Sequence, residues 1–482
     1  MGYPFSKFVM VSYQWIYYVF MAIYVITVVV ILLVIISENR NPVKSLAWIT
    51  VLFLMPVVGV VLYLFFGRSI RNTRMISRRN RRRLKRAEKS RPVKLGEQGL
   101  SESSLSHVRL ARSLTGALYY PGNEIEIFTN GRDKFDAMCA DLANARKYIN
   151  IQYYIISDDE TGRRVADILI ERARAGVTVR VIYDHVGSFK TPGRFFRRMQ
   201  REGIQVYPFF KVLVPPFGTR INWRNHRKLC VIDGEVGYVG GMNIADRYVT
   251  GNRLGPWRDT HLRLRGPAVG ALQYSFAVDW NFMGRPLIED EVPATATAAG
   301  GMGAQLITSG PTSQWSNVAM MFHRAICSAR DHVYIQTPYF LPTEGLLKAL
   351  QSAALAKVDV RLMIPRRSDS DLLRYASDSY IAQCLQAGIK IYLYDAGMLH
   401  AKTIIVDDEF VSVGSTNFDF RSFEYNFEAN LFVYSKDFNR RMTEIYNADL
   451  EQCSRVTPAQ WRRRPVAKKF AESLVRLISP IL

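Results

Sequence analysis

Lys147–Ile156 reads KYINIQYYII, an almost unbroken apolar and β-branched run that suits a strand buried on both faces. Thr161–Ala175 follows with helical spacing of its apolar residues, and Val177–Tyr183 (VTVRVIY) reads as the next strand. The order then returns. His332–Phe340 (HVYIQTPYF) is a strand, Glu344–Leu355 a helix and Val358–Ile364 (VDVRLMI) a strand. Ile151-Gln152 and Ile335-Gln336 mark the repeat, 184 residues apart. Strands alternating with helices make the fold class α/β. The expected organisation is two similar halves, residues 95–294 and 304–482, around a shared cleft. Between them Thr295–Gly303 (TATAAGGMG) is a low-complexity linker.

Before the first half the composition changes. The chain has 482 residues, 64 Lys+Arg against 42 Asp+Glu, and is 48% hydrophobic, enough to exclude a disordered chain. Trp15–Ile36 is an uncharged apolar run of a length that spans the roughly 30 Å hydrocarbon layer. Leu46–Phe66 is a second run, with Pro56 and Gly59 inside it. Residues 1–67 are therefore expected to form a two-helix transmembrane hairpin, spanning about 15–36 and 46–66. Residues 68–94 carry +12 of the +22 net charge and read as a basic juxtamembrane linker. The positive-inside rule then places everything after residue 67 in the cytoplasm. Beside a membrane, such a tract suits anionic lipid headgroups at about 1 kcal/mol per basic residue, in preference to nucleic acid. Trp461–Leu482 is basic with an apolar end, an amphipathic tail for the membrane interface or for docking on the body. Five scattered cysteines without a C-x-x-C pair exclude a disulfide scaffold and a cysteine-based zinc site.

The chemistry lies in a second repeat. His226, Lys228, Asp233, Gly240, Gly241 and Asn243 share their spacing with His400, Lys402, Asp407, Gly414, Ser415 and Asn417. One H-x-K-x-x-x-x-D has odds of about 2% by chance at ordinary residue frequencies. Two copies with matching glycine and asparagine offsets are not accidental. Leu229–Ile232 and Glu235–Val239 are β-prone around the Asp233-Gly234 turn, and a two-residue turn places His226 opposite Gly241 and His400 opposite Ser415. Each hairpin is then expected to present an imidazole, an ammonium, a small residue and an asparagine to one phosphate. The motif aspartates Asp233 and Asp407 complete the candidate catalytic set, although a turn aspartate reads first as structural.

Two histidines on one phosphate suit a two-step phosphodiester exchange, one attacking phosphorus and the other moving the proton. No H-E-x-x-H, acidic cluster or Walker loop occurs, so neither a metal nor a cofactor is expected. His107, His185, His323 and His332 lack this context and read as ordinary; His261 lies close enough to Asp259 to line a pocket or to sit in a strand.

On these residues the chain resembles the phospholipase D superfamily, and more narrowly the bacterial cardiolipin synthases. The resemblance extends to A-W-I-T-V-L-F-L-M-P-V-V-G at Ala47–Gly59, R-N-H-R-K at Arg224–Lys228 and P-W-R-D-T-H at Pro256–His261. F-D-F-R-S-F at Phe418–Phe423 and L-I-S-P-I-L at Leu477–Leu482 continue it. It implies two phospholipase-D-like halves, a place in the bacterial cytoplasmic membrane, and joining of two phosphatidylglycerols with release of glycerol. It further implies a downstream carboxylate behind each imidazole: Asp259 for His226, and Glu428 for His400, with Glu424 as a competitor. By the same resemblance His226 is the expected nucleophile. The sequence leaves the oligomeric state open.

Overall fold

The structure, a computed structural model, describes residues 5–37, 42–63, 67, 71, 74–89, 99–211, 222–288 and 299–478. The described residues divide into two compact units, one within Met1–Ser69 and Leu213–Asn222, the other within Ile70–Val212 and Trp223–Leu482.

In the first unit, Phe5–Ser37 is one 33-residue helix. It contains Trp15–Ile36, with mean hydropathy 3.3, the one described helix long and apolar enough to cross a membrane. The second apolar run is not one helix. Pro42–Leu54 ends where Met55 leaves helical geometry (φ −131°, ψ 70°), and Pro56–Leu62 begins again with proline at its first turn. Proline removes an N–H and disfavours helical geometry in the residue before it, which breaks the element there. Residues 64–66 of the expected span lie outside the described residues. Ile31, Ile35, Leu52 and Tyr63 form a small buried cluster between the first helix and the broken one.

In the second unit, a 16-stranded sheet runs through both expected halves. From its middle one way, His261–Arg265, Val236–Gly240, Leu229–Ile232, Tyr148–Tyr153, Thr178–Asp184 and Gln205–Phe209 are successive neighbours. The other way, Asn426–Tyr434, Phe410–Gly414, Thr403–Val406, His332–Gln336, Asp359–Pro365 and Lys390–Tyr394 follow in the same order. Tyr120–Phe128 and Met302–Ser309 pair antiparallel at the centre and close the two series into one sheet. Tyr148–Tyr153 with Thr178–Asp184, and His332–Gln336 with Asp359–Pro365, are parallel, as their helical crossovers require. One core mixes Leu229, Val239 and Leu264 with Ile405, Val411 and Leu431 beneath the helices Val269–Phe282 and Lys436–Leu450. The expected linker 295–303 does not separate two bodies: Met302 and Gly303 are already in a central strand, and 295–298 lie outside the described residues.

Two further expectations change. The basic linker contains the helix Arg78–Lys89, whose Leu84 is fully buried against Trp280, Phe276 and Phe209. Both motif hairpins are also one residue longer at the turn: Ile232 pairs with Val236 and Val406 with Phe410. Asp233 and Asp407 take left-handed backbone at φ 54° and 46°, a conformation Asp tolerates better than branched residues. The histidines are therefore not opposite Gly241 and Ser415.

Candidate active site

Two very short strands place the histidines. Arg224–Asn225 pairs in parallel with Asn426 and Phe427, and Met398–Leu399 pairs in parallel with Trp257–Arg258. The next residue along each short strand is a motif histidine, and the next along each partner is a carboxylate. The His226 amide donates to the Phe427 carbonyl at 2.9 Å, and the His400 amide to the Arg258 carbonyl at 2.7 Å. The backbone thus sets His226 beside Glu428 and His400 beside Asp259. His226 Nδ1 lies 3.0 and 3.1 Å from the Glu428 oxygens, and His400 Nδ1 lies 2.6 Å from Asp259 Oδ2. The expected pairing is reversed. Each imidazole is held by the carboxylate of the other half of the chain. Glu424 holds neither ring; it accepts from Arg71 and, at 2.6 Å, from Ser316.

Both carboxylates are fully buried, which by itself raises a carboxyl pKa, yet both are held below the usual value. Lys402 and His400 outweigh burial at Asp259, and His226 does so at Glu428. An ionised carboxylate at Nδ1 favours the tautomer with Nδ1–H as donor and the lone pair on Nε2, although Lys402 Nζ also lies 2.7 Å from His400 Nδ1. Burial lowers the His226 pKa, with Lys228 adding to it, and burial with Lys402 takes His400 down to about 4. Both rings are neutral near pH 7 and fit for attack or for accepting a proton.

The small residue after each glycine has a different task from the one expected. A Cβ on Gly241 would lie 2.1 Å from Asp259 Oδ1, so its smallness makes room for the carboxylate behind His400. Ser415, its counterpart, donates to Glu428 Oε2 at 2.5 Å, and Asn426 donates to Oε1 at 3.2 Å. The Gly-Gly against Gly-Ser difference between the motifs is therefore the difference between the two carboxylates they serve.

Both histidines line one cavity of about 300 Å³. Asn243 and Asn417 line it too. Asn243 is bound at both ends, its oxygen accepting from the Ile155 amide and its nitrogen donating to the Tyr248 hydroxyl. Lys228 and Lys402 are buried and are not among the lining residues. Lys228 Nζ donates to the His226 carbonyl at 2.6 Å, and Lys402 donates to the His400 carbonyl. Burial lowers the Lys402 pKa to about 8 and that of Lys228 well below its ordinary value. Arg224, Arg247 and Arg421, which the motif reading did not single out, line the cavity together with the acids Asp369 and Asp419. Trp257, Tyr248, Ile155 and Leu373 give it an apolar side.

Asp233 and Asp407 lie outside this cavity. The Asp233 carboxylate accepts from the amides of Arg146, Lys147 and Tyr148 at 2.7–2.8 Å. Asp407 accepts from Arg330, Asp331 and His332 at 2.8–2.9 Å. Each ties its hairpin turn to the start of the neighbouring strand, and their place in the catalytic set is withdrawn. His261 is likewise a strand residue, fully buried and stacked at 6.4 Å on Tyr153.

A second layer repeats under both histidines. Arg227 binds Asp279 through Nη1 at 2.6 Å to each oxygen, Gln152 donates to Asp279 at 2.5 Å, and Arg227 Nε donates to the Glu428 carbonyl. Arg258 binds Asp449 at 2.9 and 2.7 Å, and Gln336 donates to Asp449 at 2.7 Å. The glutamines are those of the Ile-Gln repeat; the aspartates had no signal in the motif.

Comparison with known proteins gives the family. The cardiolipin synthase, PLD-like domain family matches the chain twice, over residues 138–253 and 322–450. A cardiolipin synthase of Oceanobacillus iheyensis is 40% identical over 95% of this chain and 98% of its own length. The chain belongs to the cardiolipin synthase family. The major cardiolipin synthase of Bacillus subtilis is 38% identical over the same shares of the two chains. The phospholipase D-nuclease N-terminal family matches residues 22–68, within the apolar unit. Among solved structures, the phosphatidylserine synthase of Haemophilus influenzae superposes with a TM-score of 0.60 at 13% identity. It covers 78% of this chain and 100% of its own, a likeness of fold.

Proposed function

We propose that this member of the family makes cardiolipin by phosphatidyl transfer between two phosphatidylglycerols, through a phosphatidyl-histidine on His226. The observation that carries the reading is a single cavity lined by both motif imidazoles, each with its Nδ1 within hydrogen-bond distance of a buried carboxylate. His226 Nε2 attacks phosphorus, the bond to the glycerol headgroup breaks, and protonated His400 gives its proton to the departing oxygen. A bound phosphodiester anion favours the protonated form of His400. The hydroxyl of the second phosphatidylglycerol then returns a proton to His400 and attacks phosphorus, and the P–N bond breaks. Arg224, Arg247 and Arg421 offer cationic partners for the two phosphodiesters, and the buried lysines add charge behind the histidines. The Trp257 side of the cavity limits water, so that a lipid hydroxyl at high effective concentration is the acceptor. The two motif-bearing halves are read as a duplication, supported by their matching strand orders.

Purified protein in mixed micelles with phosphatidylglycerol as sole lipid should yield cardiolipin and glycerol by mass spectrometry, undiminished by EDTA. Phosphatidic acid as the main product would make the protein a hydrolase, and DNA cleavage without lipid product a nuclease. The membrane reading also extends to two spans with the catalytic body in the cytoplasm. Pro42–Leu62 has the length, about 31 Å at 1.5 Å per residue, to cross beside the first helix. The ten basic residues of Arg68–Arg86 give the side and suit anionic lipids. A reporter active only in the periplasm, fused after Leu482, should be silent; strong signal there would reverse the orientation.

A further inference from the structure

Val466–Ile478 (VAKKFAESLVRLI) is a 13-residue helix whose polar face is turned inward. Lys468 Nζ lies 3.1 Å from Asp378 Oδ2, on the helix Asp371–Gln386. Glu472, 3% exposed, accepts from Arg464 at 2.6 Å, and the Arg476 guanidinium sits 4.4 Å from the Tyr380 ring centre. The outward face is apolar: Val466 is 79% exposed, Phe470 71%, Leu474 58% and Leu477 76%. Spacings of four, four and three put them on one stripe. Singly exposed apolar side chains need no explanation, but four large ones in a row do. A surface helix ordinarily buries such a stripe; this one spends its ionic contacts on docking and leaves the stripe outside.

The neighbouring charge selects the occupant. Arg462 and Arg463 are exposed just before the helix in the chain, and Glu472, the one acidic residue in 452–478, is turned inward and paired. An apolar stripe preceded by exposed arginines, on a helix whose one acid is turned inward, fits the boundary between acyl chains and anionic headgroups. We propose that the outer face of Val466–Ile478 docks on an anionic bilayer surface, giving the catalytic body an attachment separate from its apolar N-terminal helix. This rests on the membrane reading above. The attachment bears on the active site, because Asp371–Gln386, which carries the docked helix, also carries Leu373 into the cavity. Seating the stripe in the interface therefore sets the cavity at a fixed height relative to the lipid headgroups.

The test uses the full chain in vesicles of phosphatidylglycerol and phosphatidylethanolamine bearing a tritiated tracer. Photoreactive benzoylphenylalanine is placed at Phe470, at Ile26 in the apolar helix, or at exposed Leu355. Labelling of lipid from positions 470 and 26, about tenfold above position 355, is the expected result; burying even one large apolar side chain corresponds to at least that preference. Lipid labelling from 26 but not 470 overturns this proposal and leaves the membrane reading standing. Labelling from neither removes both. Equal labelling from 355 overturns the assignment to this face, and a covalent dimer from 470 would make the partner a second copy of the chain. Phe470→Ser with Leu474→Ser should cut activity on vesicles about tenfold and leave activity in detergent micelles intact. Equal loss in both media would count against an interfacial role.

Discussion

Replacing either His226 or His400 by alanine is expected to reduce cardiolipin formation by about 10⁴-fold or more, the scale on which a nucleophile or its acid–base partner is lost from a site that acts as a unit. The two losses should not be alike. Without His226 no bond to phosphorus forms, so neither half of the exchange proceeds. Without His400 the nucleophile remains, and the missing step is protonation of the departing oxygen. A phosphatidyl donor with a p-nitrophenol leaving group needs no such proton. On this donor His400→Ala should give a burst of p-nitrophenol close to one per active site, and His226→Ala should give none. Measured by rapid mixing, a burst from His226→Ala and silence from His400→Ala would exchange the two roles.

The crossed carboxylates make the second large expectation. Glu428→Gln and Asp259→Asn should each lower turnover by about 10²–10⁴-fold, since each removes the charge that holds Nδ1–H and stabilises the imidazolium. Because Glu428 holds His226 and Asp259 holds His400, the p-nitrophenol donor should rescue Asp259→Asn and not Glu428→Gln. Pairing within each half, as the order of residues along the chain suggests, predicts the opposite rescue. Gly241→Ala should behave as Asp259→Asn does, because its methyl group occupies the place of the Asp259 carboxylate. Glu424→Gln should keep nearly full turnover, since its partners are Arg71 and Ser316. Thermal unfolding of each variant separates a misplaced proton from a lost fold.

These contrasts also mark how far the sequence could be read. KYINIQYYII and HVYIQTPYF announced their strands because burial on both faces leaves an unbroken apolar run, and such runs are local. The two H-x-K-x-x-x-x-D copies were equally plain, since their spacing is set within one hairpin. What decides the pairing is not local. His226 meets Glu428 through a strand of two residues, Arg224–Asn225, beside a partner some 200 positions away. No periodicity survives in so short an element. The hairpin register slipped by one because Asp233 and Asp407 accept left-handed backbone and add a residue to the turn. The same aspartates look catalytic in the motif, yet their carboxylates are taken up by three amides apiece. Gln152 and Gln336 could have been found, as members of a visible repeat. Asp279 and Asp449 could not, since the helices that present them differ in sequence around the shared acid.

The central claim is that His226 becomes covalently bonded to the phosphatidyl group, and it can be examined on the protein itself. His400→Ala enzyme, mixed with the p-nitrophenol donor and quenched in alkaline denaturant where a phosphorus–nitrogen bond survives, can be digested and its peptides weighed. The account predicts a phosphatidyl adduct on the peptide containing His226, formed at the rate of the burst. A burst without any histidine adduct, or an adduct on wild-type enzyme found only at His400, would contradict it.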